Sequence, residues 1–247
     1  MKKLLLIGIA ATTVGGCIAA KTHTTMPCAT PRATRPSERL LVMGGEADSP
    51  MQVVENDNQA GQEMLRTTAA AAEPRSPVTT RLVSRMLASV EAEGGVGIAA
   101  PQVGISRRVI LVKRLDVEPG QPFRVYFNPR ITRFSDETLI DWEGCLSIPA
   151  GFGKVERAAS IDIEYTTPAG EPASETVEGF TARIFQHEID HLDGILFIDR
   201  KEPGPLMPEA EYREMRKREK EKEKKKKQEA EGAPEAGAVT QGTSSSS

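Results

Sequence analysis

Phe180 to Gly194 reads F-T-A-R-I-F-Q-H-E-I-D-H-L-D-G, and its centre, Gln186-His187-Glu188-Ile189-Asp190-His191, decides how the rest of the chain is read. On a helix, residues four apart face the same way, so His187 and His191 present two imidazoles side by side with the Glu188 carboxylate next to them. That is the minimal equipment for a metal-activated water and a general base. The flanks supply the helix. Phe180, Ile184, His187 and His191 recur at helical spacing, Phe185, Ile189 and Leu192 form an adjoining apolar stripe, and Gly194 is placed to end the segment as the C′ residue.

A catalytic metal usually takes three protein ligands and keeps one position open. The chain has three histidines, and His23 lies far upstream in a region without the pattern of a folded segment, so the third donor is of another type. In proteases that extend the motif to H-E-x-x-H-x-x-G-x-x-H a third histidine follows, but here Gly194 matches and the last position is Phe197. The best remaining donor is Cys145 in Glu143-Gly144-Cys145-Leu146-Ser147, the only cysteine inside the region with folded character, and a thiolate binds zinc or ferrous iron well. The alternative for a lone cysteine is a small buried apolar residue. Upstream, Gly95-Val96-Gly97-Ile98-Ala99-Ala100-Pro101-Gln102-Val103-Gly104 combines glycines that permit close backbone approach with a side-chain amide at Gln102.

Taken together and in this order, G-x-G-x-A-A-P-Q, E-G-C-L-S and Q-H-E-x-D-H resemble the three signature motifs of the peptide deformylases. The resemblance runs from about Pro50 to Pro203 and takes in the Met51-to-Asn58 stretch, Arg107 to Lys113, Asn128-Pro129 and Leu196-Phe197-Ile198-Asp199; Ile98 stands where leucine is commoner. It implies hydrolysis of the N-formyl group from the initiator methionine of new polypeptides, with release of formate. By the same resemblance, Cys145, His187 and His191 hold one divalent metal ion, Fe2+ by family with Zn2+ as the alternative. Glu188 is the acid-base residue, and Gln102 and the backbone N–H of Leu146 stabilise the developing oxyanion. Gly97 presents backbone to the substrate and Arg157 contacts the bound peptide. Val96, Ile98 and Ile184 are candidates for the apolar slot that takes the methionine side chain, or else plain core. Asp190 faces away from the two histidines and is expected in a structural ion pair.

A helix is predicted over Val78 to Glu91, with Leu82, Val83, Met86, Leu87 and Val90 as its apolar face and Gly94-Gly95 as its stop. Strands are predicted at Val109–Val112, at Arg124–Phe127 before Asn128-Pro129, at Ser160–Tyr165 with clean alternation, and near Glu175–Val177 after a turn-rich link from Thr166 to Pro172. The fold class that follows is α+β, with small, mostly antiparallel sheets around one central metal-binding helix.

The ends depart from that domain. Met1-Lys2-Lys3, the apolar run Leu4 to Val14 and Val14-Gly15-Gly16-Cys17 have the form of a secretory signal closed by a box that resembles a bacterial lipoprotein's. The implied product is a membrane-anchored envelope protein lipidated at Cys17; the alternative is a cytoplasmic protein whose start is Met43 or Met51. The expected organisation is residues 1–17 as signal, 18–48 as a flexible Thr/Pro-rich tether, 49–205 as the catalytic domain and 206–247 as a charged helical and disordered tail. Basic and acidic residues number 32 and 35, a formal net charge of −3, which argues against nucleic acid as a main partner despite Lys224 to Lys227. The function classes in play are a deformylase acting on N-formylmethionyl peptides, a metal-dependent peptidase built on the same helix, and an exported deformylase-like protein with a divergent formyl-peptide substrate.

Overall fold

The structure is a computed structural model that describes residues 35–117 and 123–231. The signal-like segment with Cys17, the first part of the expected tether with His23 and Cys28, and the Gly/Ala/Pro/Ser end from residue 232 lie outside the described residues. The chain divides into two units, Met1–Pro208 and Glu209–Ser247.

In the first unit the elements run α1 (Pro36–Met43), α2 (Gln59–Arg66), α3 (Pro77–Glu93), β1 (Gly97–Ala99), a single 3₁₀ turn (Ala100–Val103), β2 (Val109–Lys113), β3 (Phe123–Phe134), β4 (Thr138–Cys145), β5 (Ile148–Ala158), β6 (Ser160–Thr166), β7 (Pro172–Glu178), α4 (Gly179–Leu192) and α5 (Phe197–Arg200). Five strands pair in the order β1-β2-β3-β6-β7 and two, β4 and β5, form a separate hairpin. Every strand-to-strand pairing is antiparallel. Residues Thr181 to Leu192 of α4 are buried without interruption. A helix enclosed on all sides is a central helix, so the α+β expectation holds with α4 at its middle.

The core explains that placement. Ala182, Ile184, Phe185, Ile189 and Leu192 of α4 pack with Ile110, Tyr126, Ile161, Ile163 and Val177 of the large sheet. On a second side, Leu82, Met86 and Val90 of α3 meet Ile98, Val109, Leu111 and Phe127. A third cluster, with Leu65, Cys145, Ile148, Val155, Leu196 and Phe197, seals the hairpin. Gly94 caps α3 at φ +67°, and Gly194 follows α4 at φ +74°, where an added Cβ would also sit 2.3 Å from the Arg66 carbonyl oxygen.

Three expectations need correction. The strand expected to stop before Asn128-Pro129 continues to Phe134. It absorbs the proline at a register shift between Phe127 and Arg130, with Asn128 at φ 52°. The Asn128 side chain secures this bulge by accepting from the Ala72 N–H at 2.7 Å and donating to the Ala72 carbonyl at 3.1 Å. Second, the expected tether includes a formed helix, α1. It is held by tertiary contacts that no local pattern announces: Arg85 Nη1 donates to the carbonyls of Leu41, Val42 and Gly44 at 2.9, 3.1 and 2.6 Å, satisfying groups that a helix end leaves open. Third, the catalytic unit extends past 205, because Phe152 and Met207 exchange backbone hydrogen bonds of 2.8 Å in both directions.

The second unit contains α6 (Glu209–Glu231), in which Arg213–Glu209 and Arg218–Glu214 pair at i,i+4 spacing. Such exposed pairs stabilise a lone helix only slightly.

Candidate active site

Three elements converge. Helix α4 carries His187 and His191 with ring centroids 5.0 Å apart, and the end of β4 delivers Cys145, whose Sγ lies 3.2 Å from His191 Nε2. One potential ligand atom from each of Cys145, His187 and His191 falls within 4.8 Å of the others, and all three residues are buried. A thiolate and two imidazoles gathered this closely, with no fourth protein donor from the described residues, match the donor set and open position of a catalytic site for zinc or ferrous iron.

Cys145 reaches this position through an unusual hairpin. Cys145 pairs with Ile148, leaving Leu146 and Ser147 as a two-residue connection, yet neither has the positive φ that the common two-residue turns require. The connection is accompanied by a register break: Glu143 faces Gly153, so four residues of β5, Pro149 to Phe152, stand opposite Gly144 alone between those pairs. Gly144 is needed there, since its Cβ would lie 2.5 Å from the Phe152 ring.

Glu143 sits at the centre of the supporting network and is fully buried. It accepts from Arg157 Nε and Nη2, both at 2.9 Å, from Arg183 Nη1 at 2.8 Å, and lies 2.9 Å from His187 Nδ1. Burial alone would raise its pKa, but Arg157 and His187 outweigh burial and hold the carboxyl well below its ordinary range. An ionised Glu143 can only accept, so the proton on His187 belongs to Nδ1 and Nε2 is left as the ligand atom. Phe197 stacks on His187 at 6.2 Å with ring planes 25° apart; the position where a protease would carry its third histidine is here a wall of the site.

The Glu188 carboxylate lies against Gly97, whose Cβ would come within 2.4 Å of Oε1. Glu188 Oε2 is buried and has no hydrogen-bond partner among the described residues. Burial pushes its pKa up to about 7, the range in which a general base both accepts and returns a proton. Gln102 is oriented by its own turn: Oε1 accepts from the Ala99 N–H at 2.8 Å, which turns Nε2 toward Cys145 Sγ and Ser147 Oγ, each at 3.4 Å.

The residues singled out in the sequence thus divide. Cys145, His187, His191, Glu188, Gln102 and Gly97 come together, with Leu146 directly after Cys145. Val96 and Ile184 belong to one apolar cluster beside the site. Ile98 does not: it is fully buried with Met86, Val90 and Leu111 in the cluster under α3, so it is core and not a lining of the substrate slot. Arg157 is also corrected. It is 5% exposed, with its guanidinium committed to Glu143 and Asp190, so it cannot reach out to a peptide; it holds the carboxylate that orients His187. Asp190 makes the expected structural pair, accepting from Arg157 and, at 2.7 Å, from Arg200 Nε and Nη2. Glu143 and Arg183 escaped the reading, and only the position of Glu143 beside Gly144-Cys145 could have signalled a role.

Comparison with known proteins agrees with this geometry. A family model described as Polypeptide deformylase matches residues 55–204. The chain is 42% identical to Peptide deformylase 2 of a Nostoc species over 164 residues, which is 64% of this chain and 92% of that one. Among solved structures, the Met-Ala-Ser-bound class I type b peptide deformylase of Acinetobacter baumannii is 39% identical with a TM-score of 0.56, covering 62% of this chain and 99% of the other. The Thermotoga maritima peptide deformylase is 36% identical with a TM-score of 0.57 and the same two coverages.

Proposed function

The chain belongs to the peptide deformylase family, and on that premise we propose how its own residues hydrolyse the N-formyl group of N-terminal formylmethionine, releasing formate and a free amine. The observation that carries the reading is the meeting of Cys145, His187 and His191 donor atoms within 4.8 Å, beside a Glu188 carboxylate with a buried, unpartnered oxygen.

Cys145, His187 and His191 would hold a divalent ion, which would supply Lewis acidity for the formyl oxygen and for a water. Glu188 takes the proton of the attacking water at Oε2, the oxygen without another partner, as the water oxygen bonds to the formyl carbon. It then returns that proton to the amine nitrogen as the carbon–nitrogen bond breaks. Gln102 Nε2, already turned toward Cys145, donates to the oxygen that gains charge, with the Leu146 N–H as the second donor; one such donor is typically worth about 3 kcal/mol of barrier. His187 is kept in its binding tautomer by Glu143 throughout. Val96 and Ile184 offer apolar surface for the methionine side chain. Formyl-Met-Ala-Ser tests this directly. Release of formate and intact Met-Ala-Ser is expected, whereas cleavage at an internal peptide bond would mark a peptidase.

The bound ion is proposed to be Fe2+, with Zn2+ as the alternative that the same donors accept; elemental analysis of protein purified without added metal decides. We further propose that the chain is an envelope lipoprotein anchored at Cys17, on the strength of Met1-Lys2-Lys3, the apolar Leu4-to-Val14 run and Val14-Gly15-Gly16-Cys17. Its substrates are then formylated peptides on the envelope side. Incorporation of labelled fatty acid that disappears in Cys17→Ser is the expected result, and an unlabelled parent would return the enzyme to the cytoplasm.

A further inference from the structure

Of the five large apolar side chains left exposed among the described residues, three lie within four positions on α1: Leu40, Leu41 and Met43, at 76, 48 and 41% exposure. Helix geometry puts Glu38 and Val42 on one face and Leu40 and Met43 on the opposite side, while Leu41, three residues after Glu38, lies at the edge with its Cδ2 beside Gly104. The first face is the docked one. Val42 is fully buried, Glu38 accepts from Arg107 Nη2 at 2.8 Å and from the Arg35 N–H at 3.0 Å, and Arg85 holds the carbonyls at the helix end. Rolling α1 to hide Leu40 and Met43 would break a buried ion pair. The helix therefore buries Val42 but holds a second apolar pair, Leu40 and Met43, fixed outward.

The surrounding charges and the preceding chain indicate what covers that side. From Ile18 to Met43 the basic residues are Lys21, Arg32, Arg35 and Arg39, and the single acid is Glu38, buried and paired with Arg107. Arg39 is exposed next to the apolar pair, the Arg35 side chain is paired with Glu38 at 3.1 Å, and Glu46 and Asp48 come only after the helix has ended. Cys17 precedes Pro36 by nineteen positions, a span of at most about 65 Å of extended chain. No described helix is long and apolar enough to cross a membrane, which leaves seating on a surface as the way α1 would meet lipid.

We propose that α1 is a membrane-seating element: Leu40 and Met43 enter the headgroup boundary of an anionic bilayer, and Arg39 pairs with a lipid phosphate. The inference rests on the envelope reading for its location but not on lipidation. Its test therefore uses the full chain carrying Cys17→Ser. Hydrogen exchange of residues 36–43 is compared in solution, with phosphatidylcholine vesicles, and with vesicles that also contain phosphatidylglycerol. Expected is exchange about tenfold slower on the anionic vesicles alone, reversed by high salt. In Leu40→Ser/Met43→Ser that protection is lost while formate release in solution is unchanged. Unaltered exchange in α1, whether or not the chain sediments with the vesicles, overturns the proposal. So does equal slowing on phosphatidylcholine vesicles without phosphatidylglycerol, since lipid charge then plays no part. A missing fatty-acid label, by contrast, removes only the lipidation reading.

Discussion

Glu143 accepts from Arg157, Arg183 and His187, and that saturation makes it the residue on which the donor set depends. Glu143→Gln places a neutral amide among two guanidinium groups and frees His187 to change tautomer. Metal affinity is expected to fall roughly 10- to 100-fold, read by titration with a competing chelator; unchanged affinity would detach His187 from this network. Gly97→Ala addresses the base instead. Its Cβ would lie 2.4 Å from Glu188 Oε1, and a displacement of about 1 Å at a catalytic group can cost about 100-fold, so turnover is expected to drop by that order while bound metal stays at the parent level. At this scale the motif residues were legible because their spacing is itself the chemistry: two imidazoles four apart, a carboxylate between them, a cysteine and an amide. Arg157 was misread because a strand arginine looks the same in sequence whether its partners are solvent or, as here, Glu143 and Asp190, 14 and 33 positions away.

Periodicity found α3, α4 and β6, where one residue in two or in three to four turns the same way, and β2 showed as a short continuous apolar run. It did not find α1 or the β4–β5 hairpin. In α1 one apolar residue, Val42, points inward beside an ion pair while Leu40 and Met43 point outward; in the hairpin the register is set by the four-residue bulge and by Gly144 under Phe152, neither of which alternates. The docking of α1 has a pH signature. Burial would raise the pKa of Glu38, but hydrogen bonds from Arg107 and Arg35 outweigh it and hold the carboxyl below the ordinary carboxylate range. A depressed carboxylate contributes stability at pH above its unfolded value and loses it as pH falls through the folded one. Glu38→Ala should therefore cost about 3 kcal/mol at neutral pH, and the difference in Tm between parent and variant should shrink below about pH 4. A difference independent of pH would mean that packing, not the ion pair, seats the helix.

Across the whole catalytic unit, the metal centre joins α4, β4 and the turn after β1, so occupancy and global stability are linked. Removal of the ion by chelation is expected to abolish formate release and to lower Tm; free metal at 100 times its dissociation constant stabilises a fold by about 2.7 kcal/mol. The α+β class and the central helix could be read from the chain, because α4 joins an apolar stripe to the His187–His191 face and the strands precede it. The sheet order β1-β2-β3-β6-β7 could not, since it turns on the β3–β6 pairing, which passes over the β4–β5 hairpin. The central claim is that Glu188 moves the proton at a centre whose ligands are Cys145, His187 and His191, and Glu188→Ala tests it most directly when metal content and formate release from formyl-Met-Ala-Ser are measured on the same sample. The expected result is one metal ion per chain, as in the parent, with turnover reduced by at least about 100-fold. A metal-loaded Glu188→Ala enzyme that releases formate at the parent rate would contradict it.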